Sequence, residues 1–248
     1  MGNIFTLNLH QHYTATAVSV DESAELPDVL DKMGLLGSRP ILVVVGGASQ
    51  ISETDYLRIQ SFFVEVLAPI AQNLGAYVVD GGTDVGVMQL MGNAREQIKG
   101  QFPLIGVAPI AKVLLPNQTT TPDDDATPLE PHHTHFVLVP GSNWGDESPW
   151  IVEVATVLAH GAPSLTVLIN GGEISFSDAF NSVMAGRLVI AIAGSGRTAD
   201  KLASALHGEI TDERAQKLAA SGKVKTLNLN DQRENLTHIL TNLLSAQR

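Results

Sequence analysis

The sequence predicts a doubly wound α/β fold, in which a mainly parallel sheet carries helices on both faces. Three observations carry that prediction. The first is a repeated local grammar. LVVVGGAS at Leu42–Ser49 and VVDGGTDVGVM at Val78–Met88 are β-branched runs that break into paired glycines and continue in helix-compatible residues. A buried parallel strand delivers its carboxyl end to a loop and a helix N-terminus in this way. The second is recurrence, because the same ending returns at LVPGSNWG (Leu138–Gly145), LINGG (Leu168–Gly172) and IAGSGR (Ile192–Arg197). The third is a strand–helix alternation along the chain without internal repeats.

The elements follow in order. Ile4–Leu9 and Thr14–Val20 alternate weakly and predict an edge hairpin or arm. Asp21–Arg39 is polar and punctuated by Pro27, Gly34 and Gly37, an irregular or short helical connector. Pro40 precedes the first central strand, Ile41–Val45. Ser52 or Thr54 can cap the next helix. Its apolar positions are Leu57, Phe62, Phe63, Val66, Leu67 and Ile70, and Gly75 closes it. Ala76–Val79 is the second strand. Gly86–Ile98 is a helix with Val87, Leu90, Met91, Ala94 and Ile98 inward, and Pro103–Ala108 is the third strand. Ile110–Pro131, rich in Pro, Thr and Asp, reads as a flexible flap. His135–Val139 and Pro149–Ala159 are the next strand and helix, Leu165–Asn170 and Ser177–Met184 the pair after them. Leu188–Ala193 is the sixth central strand. Helical stretches Thr198–Leu206 and Asp212–Ala219, strand Val224–Leu229 and helix Asn235–Leu244 complete the chain. The whole is Rossmann-like and reads as one domain over residues 1–248. Its core covers about 40–206, with an N-terminal arm at 1–39 and a helix–strand–helix extension at 207–248.

Composition narrows the function. The chain has 248 residues, and 44% hydrophobic content is enough to cover both sheet faces. Its 26 acids against 15 bases give a formal charge of −11, which disfavours nucleic acid and anionic membrane surfaces as partners. An anionic small molecule fits, because glycine-loop amides attract it locally. Cys is absent, which removes disulfides, thiolate chemistry and cysteine-bound metals and fits a cytoplasmic location. No apolar run is long enough to span a membrane, and no secretion signal opens the chain. Gly2 and Thr6 match a bare myristoylation pattern without the polybasic support an anchor needs. The glycosylation patterns at Asn117 and Asn235 are set aside for want of a signal peptide.

Five glycine-rich strand ends converging on one sheet edge predict a site made mainly of backbone. The loops are Gly46, Gly47, Ala48 and Ser49; Gly81, Gly82, Thr83, Asp84, Gly86 and Val87; Pro140, Gly141, Ser142, Asn143 and Trp144; Gly171 and Gly172; and Gly194, Ser195, Gly196 and Arg197. Glycines admit a phosphate to the backbone, Thr83 can donate its hydroxyl, and Asp84 reads as a helix cap. GSGRTA at Gly194–Ala199 fits G-x-G-x-x-A, but it comes late and lacks the acid after a following strand that a nicotinamide dehydrogenase carries. Arg197 is placed to fork onto a phosphate, or to make a surface salt bridge. Trp144 could stack on a base or anchor the core. Glu147 and Glu153 are candidate acid–base groups, with Asp146 beside them. His132, His133 and His135, with His10 and His12, suggest a metal at first sight, and His133 and His135 would share a strand face. No acid or cysteine stands nearby at ligand spacing, so no metal is assigned.

Together VVVGG, GGTDVGVM, IGVAP, HTHFVLVPG, VLINGG and IAGSGRTAD, in that order, resemble the N-terminal nucleotide-sensing region of melastatin-type transient receptor potential channels. They are closer still to its free-standing prokaryotic relatives, the LSDAT-like branch of the SLOG superfamily. The resemblance runs from about Pro40 to about Leu206. It implies a Rossmann-like sheet and a soluble sensor for an ADP-ribose-type or cyclic ADP-ribose-type nucleotide. GGTDVG would hold phosphate or ribose and Arg197 would grip phosphate. No separate cofactor is required, and a homo-oligomer is expected. Within the same superfamily, LOG enzymes carry PGGxGTxxE with a catalytic glutamate. PGSNWGDES departs from it, so N-glycosidic hydrolysis through Glu147 or Glu153 is the alternative. Ligand binding without turnover is the primary expectation.

Overall fold

The computed structural model describes residues 3–9, 12–35, 37–48, 52–116, 124–209 and 212–245. Strands β1 (Asn3–Asn8) and β2 (Thr14–Ser19) form the expected antiparallel hairpin. The connector after it holds α1 (Leu26–Lys32), whose Leu26, Val29 and Leu30 are buried. The central strand β3 (Ile41–Gly46) follows, then α2 (Glu53–Phe62), a π-type segment Phe63–Leu67 and α3 (Ala68–Leu74). The wide turn has a local cause. Pro69 in the first turn of α3 has no N–H, and its ring would crowd the carbonyl four residues back. Ser52 is the N-cap and accepts from Asp55 N, and Gly75 ends α3 in the left-handed conformation.

Strand β4 (Tyr77–Asp80), α4 (Gly86–Gln97) and β5 (Leu104–Pro109) come next. Short strands β6 (Val113–Leu114) and β7 (Thr127–Pro128) pair in parallel, and β8 (His135–Val139) returns to the main sheet. The chain continues through α5 (Ser148–Ala159), β9 (Ser164–Ile169), α6 (Glu173–Met184), β10 (Leu188–Ala193) and α7 (Arg197–Leu206). It ends with α8 (Glu213–Ala220), β11 (Val224–Asn228) and α9 (Arg233–Leu244).

The main sheet has nine strands in the order β1-β2-β8-β5-β4-β3-β9-β10-β11, and every pairing except β1 with β2 is parallel. From β3 the chain walks outward through β4, β5 and β8. It then crosses back to β9 and walks the other way. The order therefore reverses between β3 and β9, where the loops leaving two adjacent strands diverge and open a crevice.

Period-two alternation splits the core into two faces. Ile41, Val43 and Val45 point to the layer built with α1 and α5–α8, while Leu42 and Val44 point to the layer with α2–α4 and α9. This is the mainly parallel, doubly wound, Rossmann-like sheet of the prediction.

Three details differ. Leu57 is 66% exposed, and Ile59 takes its place, because Ile59, Phe62, Phe63 and Val66 make the inward stripe at helical spacing. Helix α6 starts four residues before the predicted Ser177, directly after Gly172. The predicted flap at 110–131 has built ends. A 3-10 turn at Ile110–Lys112 leads into β6, Lys112 is buried and pairs with Asp125 at 2.7 Å, and Leu129 bridges to Thr83. Val113, Leu129 and Glu130 are buried anchors that the segment's polar composition concealed. Residues 117–123, the middle of that flap, lie outside the described residues, as do Ser49 and His10.

Candidate functional site

A cavity of about 480 Å³ lies at the β3–β9 reversal. Its floor is apolar, from Val44 and Val45 of β3 and Val85 and Met88 at the head of α4. Gly46, Ala48, Gly81, Thr83, Trp144, Gly172 and Arg197 line it as well. The glycine loops after β3, β4, β8, β9 and β10 thus each send at least one residue to the crevice or to the brace behind it. Trp144 is half-buried in the wall, compatible with both of its predicted roles.

Helices α4, α6 and α7 begin around this cavity without a side-chain cap, from Val85, Gly172 and Gly196. Asp84 does not serve as the expected cap. Its carboxylate instead accepts a hydrogen bond from Gln89 Nε2 at 3.0 Å, because Val85 stands at the N-cap position one residue later. The N–H groups of Val87, Thr198 and Ala199 at these starts donate to the carbonyls of Gly47, Gly171 and Asn170, so the starts of α4 and α7 bring chiefly the positive end of the helix dipole to the cavity.

Arg197 is the cavity's guanidinium. Its backbone is in the left-handed region, φ +50°, which a residue with a Cβ adopts at a cost of roughly 1–3 kcal/mol. The loop is held there by its neighbours. Asn170, also left-handed at φ +57°, donates from Nδ2 to the Ser195 carbonyl, and its N–H donates to Ser195 Oγ. Thr198 Oγ1 donates to the Gly172 carbonyl. A Cβ on Gly172 would stand 3.1 Å from Arg197 Nη2, so the glycine leaves the guanidinium its seat.

Other predicted residues support the cavity without lining it. Gly47 and Gly86 meet backbone to backbone, with Val87 N donating to the Gly47 carbonyl, and Val87 is core. Gly82 packs on Gly106 and Phe136. Gly171, Gly194, Ser195 and Gly196 belong to the brace beneath Arg197. The loop Pro140, Gly141, Ser142 and Asn143 wraps Asp146, whose carboxylate accepts the N–H of Ser142 and Asn143. Glu153 is exposed on α5 outside the lining.

Glu147 does line the cavity, with Glu173, Ile174, Ser175 and Asp178 of α6, which sequence reasoning missed. Burial raises the Glu147 carboxyl above the ordinary carboxylate range, and the Asp146 charge adds to it. Burial pushes Asp178 up to about 7, with the Glu147 charge acting in the same direction and a hydrogen bond from Ser148 opposing.

Behind the Gly81–Gly82 turn lies a buried ionic network. His133 bridges Asp80 Oδ1 at 2.8 Å and Glu130 at 2.7 Å, and His132 Nδ1 reaches the other Glu130 oxygen. Burial works to raise Glu130, but hydrogen bonds from both histidines outweigh it and hold the carboxyl at about 2. Burial likewise works to lower His133, but the Asp80 charge and the carboxylate hydrogen bonds lift it to about 9. His133 is therefore an imidazolium that donates from both nitrogens. It precedes β8, so it does not share a strand face with His135 as predicted. Glu130 fits because Gly92 has no side chain, since a Cβ there would overlap its carboxylate. Among the described residues, no group of three or more His, Cys, Asp or Glu is arranged to hold a metal ion.

Fold and cavity define a doubly wound α/β protein with a ligand-sized crevice at its topological switch point. The sequence model of the family described as "SLOG in TRPM, prokaryote" matches residues 39–237, and the chain belongs to that family. It is also similar to transient receptor potential cation channel subfamily M member 2 of Mus musculus and of Rattus norvegicus. Each is 25% identical over 197 residues, covering 66% of this chain and 13% of the channel. The chain thus matches about an eighth of those relatives' length. Among the described residues no helix is long and apolar enough to cross a membrane.

Proposed function

We propose that the chain is a nucleotide sensor that binds an ADP-ribose-type or cyclic ADP-ribose-type adenine nucleotide in the cavity between β3 and β9. The observation that carries this reading is Arg197, held in a left-handed backbone conformation beside Gly172, where three helices without side-chain caps begin. A costly conformation that seats a guanidinium at converging helix dipoles suits an anion with several phosphate oxygens. Apolar floor residues and Trp144 suit the planar base. The similarity to melastatin-type channels supports the same ligand class. Within this reading Gly46, Ala48, Gly81, Thr83, Trp144, Gly172 and Arg197 contact the ligand, and the remaining glycine-loop residues hold them in place.

The proposal extends to a cytoplasmic protein that self-associates, with Phe180 and Met184 exposed on α6 as apolar surface for a second copy. Sedimentation equilibrium tests that part. For the ligand, titration calorimetry with ADP-ribose, cyclic ADP-ribose, AMP and NAD is the test. Saturable binding of ADP-ribose that weakens in the presence of AMP agrees with the reading, and heat of dilution alone across the set rejects it.

A further inference from the structure

Two chemically different sets of residues line the cavity. Arg197 supplies a guanidinium among the glycine loops. Glu147, at the N-cap of α5, and Asp178, one turn beyond Ile174 and Ser175 on α6, supply buried carboxyls. Both acidic residues are more than nine-tenths buried, at 8% and 7% exposure, yet both line the cavity. Gly145 N donates to Glu147 Oε2 at 2.7 Å, and Ser148 Oγ donates to Asp178 Oδ1 at 2.5 Å. The second Asp178 oxygen has no protein partner among the described residues, and no cation pairs with either carboxyl there. A structural pair buried this deeply would be compensated by an Arg or Lys. This pair instead faces open space, flanked by Ile151, Ile174 and Trp144.

We propose that Glu147 and Asp178 form a proton-sharing clamp for the purine edge of the bound nucleotide, while Arg197 takes its phosphates. This rests on the nucleotide-binding reading above and assigns the two ends of the ligand within it. The apolar flanks favour a flat base over a sugar, whose hydroxyls would meet Ile151 and Ile174. An adenine edge presents a ring-nitrogen acceptor beside an amino donor. One carboxylic acid matches both, its O–H donating to the ring nitrogen and its carbonyl accepting from the amino group. Two ionised carboxylates would set lone pairs against the adenine nitrogen. Guanine presents two adjacent N–H donors, at its ring nitrogen and its amino group, and an ionised carboxylate accepts both, so a guanine edge needs no proton from the pair.

Among the other charged groups on the elements around the pair, Asp146 is held below the ordinary carboxylate range by the N–H groups of Asn143 and Ser142, and Glu173 by Arg214. Arg197 and Lys201 stand on α7 and Lys217 on α8. The pyrophosphate bridge of ADP-ribose has only strongly acidic oxygens, so the ligand keeps its charge throughout.

The test has two arms. In the first, calorimetry follows ADP-ribose and its guanine counterpart from about pH 6 to about pH 9. ADP-ribose affinity falls up to about tenfold per pH unit above neutrality, as a required proton is lost, while the affinity for the guanine form does not fall. Asp178→Asn, whose amide is a fixed donor and acceptor, keeps the ADP-ribose affinity seen at low pH and loses its pH dependence. Equal, flat profiles for both nucleotides overturn the clamp while leaving the binding reading intact. Failure of ADP-ribose to bind overturns that reading instead, and the second arm then decides the pair alone. There, the carbon-13 resonance of the Asp178 carboxyl is titrated in the free protein. A midpoint near neutrality that drops in Glu147→Gln supports proton sharing. A midpoint in the ordinary carboxylate range overturns it.

Discussion

At the scale of single residues, two substitutions separate recognition from architecture. Arg197→Ala removes a guanidinium from the cavity while keeping the backbone requirement of a residue with a Cβ. A charge-assisted hydrogen bond contributes about 1.5–3 kcal/mol, so ADP-ribose affinity should fall at least about tenfold with little change in melting temperature. Calorimetry and a thermal melt on the same sample check this, and unchanged affinity would remove Arg197 from the site. Gly82→Val acts differently. At φ +69° a Cβ would stand 2.8 Å from Gly106 Cα and 3.1 Å from the Phe136 ring. Overpacking costs about 1–3 kcal/mol, and the left-handed backbone adds about 1–2 more. In a chain of this size the melting temperature should drop by roughly 5–15 °C. Binding lost without that drop would move Gly82 from the brace to the ligand.

At the scale of elements, the Asp80–His133–Glu130 network ties the end of β4 to the segment that leads into β8. Glu130 N donates to the Gly82 carbonyl, and Asp84 N to the Pro128 carbonyl, so the segment's end is sewn to a cavity loop. The linkage signs are opposite for the two partners. Glu130, lowered to about 2, contributes stability that is present above its unfolded value and lost as pH falls from about 4.5 through 2. His133, raised to about 9, contributes stability that is full below about 6.5 and lost as pH rises through 9. Denaturant melts should therefore show stability declining between about pH 6.5 and 9. His133→Leu, which strands two buried carboxylates, should cost about 3–5 kcal/mol at neutral pH and flatten that decline. An unaltered alkaline limb in the variant would show that His133 does not titrate as described. Hydrogen exchange across 110–131 should follow the same anchors, with slow exchange at β6 and Glu130 that slows further when nucleotide binds. Rapid exchange at Glu130 in both states would mean that the network does not hold the segment.

The strands, their order of appearance and the glycine loops were legible because local patterns encode them: β-branched runs, paired glycines, a capping Ser52, a closing Gly75. Arg197 was legible for the same reason, standing next to Gly194 and Gly196. Asp178 and Glu173 were not, because their meaning depends on α6 lying beside the head of α5, a tertiary fact with no local signature. LINGG points only to its own loop, and a helix begun at Ser177 leaves Glu173, Ile174 and Ser175, which line the cavity, as coil. The His132–His133 pair looked like metal chemistry because its partners, Asp80 and Glu130, were read as parts of separate loops. Gly92 carried no signal at all. Its role is the space it leaves for a carboxylate that follows 38 residues later.

At the scale of the whole molecule, the fold places ligand chemistry where backbone loops outnumber reactive side chains, and this bears on turnover. Cleaving an N-glycosidic bond needs an acid at the leaving group or a base aimed at a water, both positioned at the anomeric carbon. The two buried carboxyls of the cavity sit at the N-cap of α5 and on α6, where the proposed clamp would engage the edge of the base rather than the sugar. Glu153, the other acid considered for hydrolysis, is exposed on α5 and does not reach the lining. Thr83, Ser175 and Arg197 line the cavity beside the glycine loops and on the proposed reading hold and orient the ligand, and none of them can take a proton from water near neutral pH. ADP-ribose should therefore survive prolonged incubation with stoichiometric protein, as should AMP and NAD, while binding itself raises the melting temperature. At about a hundredfold excess over Kd the gain is about 2.7 kcal/mol, or roughly 5–10 °C for a chain of this length. Product analysis by chromatography after the melt reads both outcomes from one sample. Release of free base or ribose phosphate, abolished in Glu147→Gln, would replace the sensor with a nucleotide N-glycosidase and turn the carboxyl pair from a clamp into an acid and its base.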